Sequence, residues 1–305
     1  MRTETRSFYE AAVLRAVARI TASLDEALDL GELARGAELS PFHFHRIFRG
    51  MVGETPLEMH RRLRLERAAS QLLDSTKSVT AIAFDAGYDT HEAFTRAFRD
   101  AYGSSPTAFR LSAEEREGCV RRTQITLAAR SSIHFSSSIN VQEVRFAKGE
   151  STMNVTVEEM PSLRVATVHH VGPYNRISEA FQRLGDIAGP AGLLRPNAMM
   201  LAIYFDDPET TPAEQLRSDA GVTVADDAHL PAEVVEKRLP SGRYARATHI
   251  GPYATLGDTW ARMMGEWLPS SGNRVGKGPT YEVYRNTPAN TPPEQLRTDL
   301  YIPIT

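Results

Sequence analysis

One short stretch, SPFHFHRIF (40–48), is expected to form a helix that carries hydrogen-bond donors outside its apolar face. Ser40 can cap this helix by accepting a backbone N–H, and the proline after it suits the first helical position. Phe44, Ile47 and Phe48 recur at helical spacing and predict a buried face. The rest of the helix surface offers imidazole and guanidinium donors to a polar or anionic partner. These donors are His43, His45, Arg46 and Arg49.

A second chemical feature lies far along the chain, where one carboxylate interrupts an expected core strand. The run TYEVY (280–284) is rich in strand-forming residues, and alternation puts Glu282 and Tyr284 on the same face. Desolvation disfavours the charge of an inward carboxylate among aromatic rings unless a cation comes to it. Glu282 is therefore expected to suit cationic or hydrogen-bond-donating small molecules.

The helix that carries the donors occurs twice in the first third of the chain. A shift of 50 residues places Ser40 on Thr90, and Arg46 on Arg96. Each copy predicts two short helices joined by a tight turn, the helix-turn-helix arrangement whose second helix enters the DNA major groove. The expected helices span 28–39, 40–48, 78–87 and 90–101.

A longer helix, residues 56–73, is expected to connect the two copies. At 1.5 Å per residue it is about 27 Å long. Successive major grooves on one face of DNA are about 34 Å apart, so one chain could hold two reading helices in adjacent grooves without dimerising. The oligomeric state stays open at this point.

A different repeat organises the second half. HHVGPY (169–174) recurs as THIGPY (248–253), and TPAEQLRSD (211–219) recurs as TPPEQLRTD (291–299). Each copy predicts a strand, a helix and two more strands. Duplicated units of this kind join through their sheets and leave a groove, which is a common place for a small-molecule site. The aligned copies set Glu282 opposite Ala202.

Composition limits the classes of protein to consider. The chain has 305 residues, of which 41% are hydrophobic and 24% charged, enough for two or more domains with cores. A bilayer span needs about 18 or more consecutive apolar residues, and no such run occurs. The N-terminus is polar and Cys119 is the single cysteine, so the cytosol is the expected compartment. Net charge is −3, but arginines at 46, 49, 61, 62, 64 and 67 can form a local basic face.

Two resemblances follow from these motifs. SPFHFHRIFRGMVGETPLEMHRRLRLERA and AIAFDAGYDTHEAFTRAFRDAYGSSP resemble the AraC/XylS-type DNA-binding domain, and the HxGPY segments with YEVY (281–284) resemble the GyrI-like effector-binding domain. Together they imply an all-α double helix-turn-helix domain at 1–112, a linker at 113–152, and an α+β domain of two strand-helix-strand-strand repeats at 153–305. They imply a transcription regulator with double-stranded DNA, RNA polymerase and a small-molecule effector as partners, and with no cofactor.

Base readout in the first family comes from the outward faces of the two recognition helices. Arg46 and Arg96 are expected to pair with guanine, each contributing about 1–3 kcal/mol of discrimination, or to reach a phosphate or a nearby carboxylate instead. Glu92 could accept from a cytosine amino group. The positions implied for DNA contact are Phe42, His43, His45, Arg46 and Arg49 in the first copy, and His91, Glu92, Thr95 and Arg96 in the second.

The second resemblance implies that Glu282 contacts the ligand, as a glutamate at this strand position does in several GyrI-like domains. Trp260, which aligns with Phe181, could add an aromatic wall that attracts a cation. The other implied ligand contacts are Tyr284, Tyr174 and Tyr253. The alternative is structural: Glu282 pairs with an arginine inside the domain, and Trp260 is ordinary core.

Two further functions stay open, and metal binding is not expected. Some GyrI-like proteins are hydrolases, with the same glutamate as catalytic base or nucleophile, and the domain could instead be a protein-interaction module without a ligand. His43 and His45 point about 200° apart on a helix and have no third ligand nearby. His169 and His170 face opposite sides of a strand and are expected to be structural.

Overall fold

The computed structural model describes residues 2–114, 127, 133–135, 153–206 and 211–305. Contacts divide the chain into two compact units, Tyr9–Lys148 and Gly149–Thr305 together with Met1–Phe8. Most of the expected linker at 113–152 lies outside the described residues. Within the described ranges, no helix is long and apolar enough to cross a membrane.

The N-terminal elements are helical, as the first repeat predicts. Two helix-turn-helix pairs, α2 (Leu30–Gly36) with α3 (Pro41–Val52) and α5 (Val79–Asp85) with α6 (His91–Tyr102), flank a connecting helix, α4 (Pro56–Asp74). The helices described before residue 115 are α1 (Arg2–Ala22), α2 (Leu30–Gly36), α3 (Pro41–Val52), α4 (Pro56–Asp74), α5 (Val79–Asp85), α6 (His91–Tyr102) and α7 (Pro106–Glu114).

Matching caps fix both ends of α3 and α6, the second helices of the two helix-turn-helix pairs. The Ser40 hydroxyl accepts from the His43 N–H at 3.3 Å and begins α3. Thr90 does the same for α6, at 3.1 Å from the amide three residues on. Gly53 and Gly103 end the helices with φ of 85° and 72°, a left-handed conformation that costs glycine little. The same capping chemistry therefore builds both copies.

The connecting helix α4 has 19 residues, which corresponds to about 28 Å. A capping box begins it, because Thr55 accepts from the Glu58 amide and Glu58 accepts from the Thr55 amide. The inner face of α4 packs into the core of the second helix-turn-helix around Phe94, Phe98 and Phe109. The connection between the two copies is thus a packed helix.

The C-terminal elements form a single eight-stranded antiparallel sheet in the order β1-β6-β8-β7-β3-β4-β2-β5. The strands are β1 (Val155–Met160), β2 (Leu163–Val171), β3 (Met200–Tyr204), β4 (Arg217–Thr223), β5 (Val235–Leu239), β6 (Gly242–Ile250), β7 (Tyr281–Tyr284) and β8 (Arg297–Pro303). Helix α8 (Ser178–Ala188) follows β2, and α9 (Leu256–Arg262) follows β6. The predicted order of strand, helix, strand and strand is confirmed in both copies.

The two copies exchange their leading strands. β1 precedes the first copy in sequence but pairs with β6 of the second, while β5 precedes the second copy but pairs with β2 of the first. The copies meet directly where β3 pairs with β7. Each copy therefore depends on the other for a complete sheet.

The helix that follows β6 in the second copy changes its geometry in its second half. After α9 the chain makes one turn of π-helix (Met263–Trp267), called the π-turn below, and then a short helix, α10 (Leu268–Ser271). Pro269 has no backbone N–H to donate to the carbonyl four residues before it, which is compatible with the wider turn. Such π-turns are frequent at functional sites.

We predict that Ser40→Ala and Thr90→Ala each lower the free energy of unfolding by about 1 kcal/mol, because each leaves a helix N–H without its side-chain acceptor. Urea titration of the full-length chain measures this. Ser40→Asp restores an acceptor and serves as the matched control. A loss in the aspartate variant equal to that in the alanine variant would contradict the capping account.

Candidate functional site

Glu282 lies in the middle of the sheet, at the junction of the two copies. It pairs across strands with Ala202 and is only 3% exposed. The methyl group of Ala202 leaves room beside the larger carboxylate. Tyr281 and Val283 join a hydrophobic cluster on the opposite face of the sheet, so the alternation expected for this strand is present.

Two donors hold the carboxylate of Glu282. The Trp260 indole N–H donates to Oε1 at 2.6 Å, and the Tyr284 hydroxyl donates to Oε2 at 3.0 Å. Since the single proton of Tyr284 is used in this way, the Tyr204 hydroxyl donates to the Tyr284 oxygen at 2.8 Å. Hydrogen bonds to an ionised acceptor are stronger than those between neutral groups. The carboxylate therefore has a fixed orientation.

Aromatic rings surround this hydrogen-bonded chain. Phe181 and Tyr253 each place a ring centroid 5.4 Å from that of Tyr284. Tyr174 packs edge-on against Tyr204 with centroids 4.7 Å apart. We call the aromatic side chains around Glu282 the aromatic cluster, and it consists of Tyr174, Phe181, Tyr204, Tyr253, Trp260 and Tyr284.

Three tyrosines of this cluster have raised pKa values, which keep their hydroxyls in the neutral form. Burial raises the pKa of Tyr204 well above its usual value, and the nearby Glu282 charge adds to that rise. Burial likewise raises the pKa of Tyr284, with Tyr204 and Glu282 contributing. Burial and then Glu282 raise the pKa of Tyr253. The tyrosines thus stay donors at any physiological pH.

The expected ligand residues differ in their accessibility. Trp260 is 2% exposed, so it positions Glu282 through its N–H and has no open ring face. Tyr253 is 38% exposed at the edge of the cluster. The half-buried Tyr174 donates its hydroxyl proton to the Asp206 carbonyl at 2.5 Å. The five residues predicted to contact the ligand are close neighbours in the fold. They are Glu282, Tyr284, Tyr174, Tyr253 and Trp260.

Sequence reasoning missed two members of the cluster, Tyr204 and Phe181. The repeat contained the signal for both, because Tyr204 aligns with Tyr284 and Phe181 aligns with Trp260. At these two aligned pairs, only the second-copy residues, Tyr284 and Trp260, were assigned to the site. In a duplicated sheet, equivalent positions of both copies converge where the copies meet.

The strand histidines occupy structural positions, as expected from alternation. His170 and its repeat equivalent His249 are buried, and each Nε2 lies 3.3 Å from a proline carbonyl at the start of the following turn. His169 points the other way, and its Nδ1 is 2.7 Å from Asp219. Among the described residues, no three histidine, cysteine or acidic side chains cluster as metal ligands do.

The first recognition helix, α3, presents fewer polar side chains than the sequence predicts. Arg46 is half-buried and lies over the Phe42 ring, 4.3 Å from its centroid. Burial, followed by the charge of Arg46, lowers the pKa of His43 to about 4, so His43 is neutral at physiological pH. Arg49 is half-buried.

The expectation that His45 lies on the outward face is wrong. His45 is 3% exposed, because the buried stripe of α3 is broader than one line of residues. It includes Phe44, Phe48 and Val52, and His45 lies beside them one position further round the helix. A side chain in this position is part of the domain core.

The second recognition helix, α6, is more open. Glu92, Arg96 and Arg99 are exposed, while His91 and Thr95 are half-buried. These five residues and Asp100 line a depression of about 430 Å³. Arg99 was not assigned from the sequence, although the 50-residue repeat aligns it with Arg49.

These features define a class of protein: a DNA-binding double helix-turn-helix followed by a small-molecule-binding sheet domain. Residues 153–305 match the family described as a GyrI-like small molecule binding domain, which covers half of the chain, and the chain belongs to this family. Residues 33–112 match a helix-turn-helix domain. The chain is accordingly a helix-turn-helix transcription regulator with a GyrI-like small-molecule-binding domain.

Individual relatives carry several descriptions. The DNA gyrase inhibitor of Yersinia enterocolitica is 32% identical over 135 residues, covering 43% of this chain and 84% of that protein. The probable transcriptional regulator YgiV of Escherichia coli is 28% identical over 157 residues, covering 50% and 97%. A solved hydrolase from Listeria innocua is 15% identical, covers 50% of this chain and 92% of its own, and has a TM-score of 0.37.

We predict that Tyr204 and Tyr284 titrate only well above pH 10, the ordinary value for tyrosine. Their pKa values are raised in the folded state, so their contribution to stability is intact below pH 10 and is lost as the pH rises through the folded values. Ultraviolet titration of tyrosinate measures this. Replacing both residues by phenylalanine should remove two late-titrating groups, and removal of two early ones would contradict the assignment.

Proposed function

We propose that the C-terminal domain senses an amphipathic small cation at Glu282, and that binding of this cation changes DNA recognition by the N-terminal domain. One observation carries the proposal: a carboxylate held by Trp260 and Tyr284 lies within the aromatic cluster at the centre of the sheet. Aromatic faces attract cations, and the attraction strengthens when both partners leave water. A carboxylate in the same place adds direct charge complementarity.

Access to Glu282 requires movement of a ring. With 3% of Glu282 exposed, a ligand reaches the carboxylate only if a neighbouring side chain turns aside. Tyr253 is the most exposed of the residues predicted to contact the ligand, and it begins a short turn at Tyr253–Thr255. We infer that Tyr253 is the side chain that moves, and that Tyr174, tied to the backbone at Asp206, stays in place.

The proposed role of Glu282 is recognition without catalysis. Both of its oxygens accept hydrogen bonds from neighbours, and each such bond lowers the tendency of a carboxylate to act as a base or nucleophile. The regulator YgiV supports a regulatory role for the domain. Turnover of a bound ester is the outcome that would instead support hydrolysis.

DNA recognition is proposed for the outward residues of α3 and α6. On α3 these are Phe42, His43, Arg46 and Arg49, with Arg46 supported by the Phe42 ring. On α6 they are His91, Glu92, Thr95, Arg96 and Arg99. Because α4 is about 28 Å long, a single chain could place both helices in neighbouring major grooves. RNA polymerase is the protein partner proposed for the regulator when it is bound at a promoter.

We predict that Glu282→Gln weakens binding of tetraphenylphosphonium by about tenfold to a hundredfold, because the substitution keeps the shape and removes the charge. The fluorescence of the two tryptophans, Trp260 and Trp267, reports the binding in the full-length chain. Triphenylphosphine oxide, a neutral aromatic of related shape, should bind weakly and equally to both proteins.

Glu294→Gln is the matched control, since Glu294 is an exposed carboxylate of the same repeat. It should leave the affinity unchanged. Equal affinities of wild type and Glu282→Gln for tetraphenylphosphonium would remove the carboxylate from the recognition account.

We predict that Arg46→Ala and Arg96→Ala each relax base preference in a different half of the binding site, by about 1–3 kcal/mol. Selection from a random duplex library measures the preference. Arg46→Lys and Arg96→Lys keep the charge but lose the planar pair of donors, so they should retain overall affinity and lose the preference. Unchanged preferences in both alanine variants would contradict base readout by these arginines.

A further inference from the structure

Glu66 is a buried carboxylate that base recognition does not use. It lies in the middle of α4, the helix that connects the two helix-turn-helix pairs, and its exposure is 0%. Burying a charged carboxylate is costly unless hydrogen bonds and opposite charges compensate it. The donors that compensate Glu66 come from two places in the chain.

The first donor is on the same helix. Arg62 donates from Nη1 to Glu66 Oε1 at 3.0 Å and uses its other donors on Glu54, at 2.9 and 2.7 Å. One guanidinium is therefore shared by two carboxylates. Burial disfavours the charge on Arg62, but the bonds and charges of Glu54 and then Glu66 raise its pKa overall, so Arg62 stays charged.

The remaining donors come from residues beyond the second helix-turn-helix. The backbone N–H groups of Leu127 and Phe135 donate to Glu66 at 2.9 and 2.7 Å, and His134 Nδ1 lies 3.0 Å from Oε1. Ile133 is buried, and Leu127 packs against the core of the second helix-turn-helix. We call Leu127 and Ile133–Phe135 the docked residues.

The docked residues lie between the two domains in sequence. Arg62 is shared between Glu66 and Glu54. Two backbone amides and one imidazole of the docked residues supply the other hydrogen bonds to Glu66. Withdrawing them would leave the buried charge of Glu66 with too few hydrogen-bond donors, and this would raise the free energy of the present packing of α4. Docking and the conformation of α4 are thus thermodynamically coupled.

We propose that Glu66 is the positioning residue through which the docked residues set the relative placement of the two recognition helices. The effector domain follows the docked residues along the chain. A cation bound to that domain would change DNA binding by withdrawing the docked residues from Glu66. This second part rests on the proposed function; the first part stands without it. Helix α4 is thus proposed to have two states, one with the docked residues bound to Glu66 and one with them withdrawn.

The test uses the full-length chain with Glu66→Gln, which keeps the shape of the side chain and replaces one acceptor oxygen by a donor. Hydrogen exchange at the amides of Leu127 and Phe135 should become about tenfold to a hundredfold faster. Duplexes selected from a random library, and the same duplexes with one or two base pairs inserted between the half-sites, measure the spacing preference. Wild type should lose about tenfold in affinity on insertion, and Glu66→Gln should lose less than about threefold.

The spacing profile separates positioning from a merely structural role, which would weaken binding to all duplexes alike. Glu32→Gln, at an exposed carboxylate of α2, is the matched control and should behave as wild type. If Glu66→Gln does not fold, His134→Leu removes one donor at a partly exposed position and should shift exchange and spacing in the same direction. Wild-type exchange and a wild-type spacing profile in the folded variants would overturn the proposal.

Tetraphenylphosphonium tests the second part separately. Tryptophan fluorescence reports whether it binds, and the affinity for the selected duplex reports whether binding reaches the DNA. Binding in both proteins, with a change in DNA affinity in wild type but not in Glu66→Gln, supports the route. An equal change in both would contradict it, whereas absence of binding in wild type contradicts the proposed function and leaves the spacing result intact.

Discussion

The pairing of β3 with β7 is the contact on which the effector domain depends. It joins the two copies and places Ala202 beside Glu282, so that a charged side chain lies where the repeat otherwise has a methyl group. The exchange of β1 and β5 between the copies makes this junction obligatory, because neither copy has a complete sheet of its own. The hydrogen bonds from Trp260 and Tyr284 then fix the carboxylate within the aromatic cluster, which is the site proposed for an organic cation.

The DNA-binding unit uses duplication in a different way. Its two copies remain separate helix-turn-helix pairs, and they are related through α4 rather than through a shared sheet. The buried network of Glu54, Arg62 and Glu66 holds α4, and residues from beyond the second copy complete that network. In both units a buried carboxylate therefore lies where two copies are connected, with one partner on its own element and at least one from another part of the chain.

Periodic features were predictable from the sequence, and features that depend on contacts between distant residues were not. Alternation placed Glu282 and Tyr284 on one face because side chains in a strand alternate with a period of two, and the capping residues placed both recognition helices. The burial of His45 was missed because the width of a buried stripe depends on what packs against it. The hydrogen bond from Trp260 follows from the packing of α9 against the sheet, and the docking of Leu127 on Glu66 has no local pattern at all. The assignments of individual DNA and ligand contacts stay predictions.

A crystal structure of this chain with tetraphenylphosphonium would decide whether the carboxylate and the aromatic cluster form one recognition site. We expect the phosphonium within about 6 Å of the Tyr204 or Tyr284 ring centroid, close to the Glu282 carboxylate, with Tyr253 turned away from its present position against Tyr284. A cation bound elsewhere on the domain, with Glu282 still held by Trp260 and Tyr284 and the cluster unchanged, would contradict it.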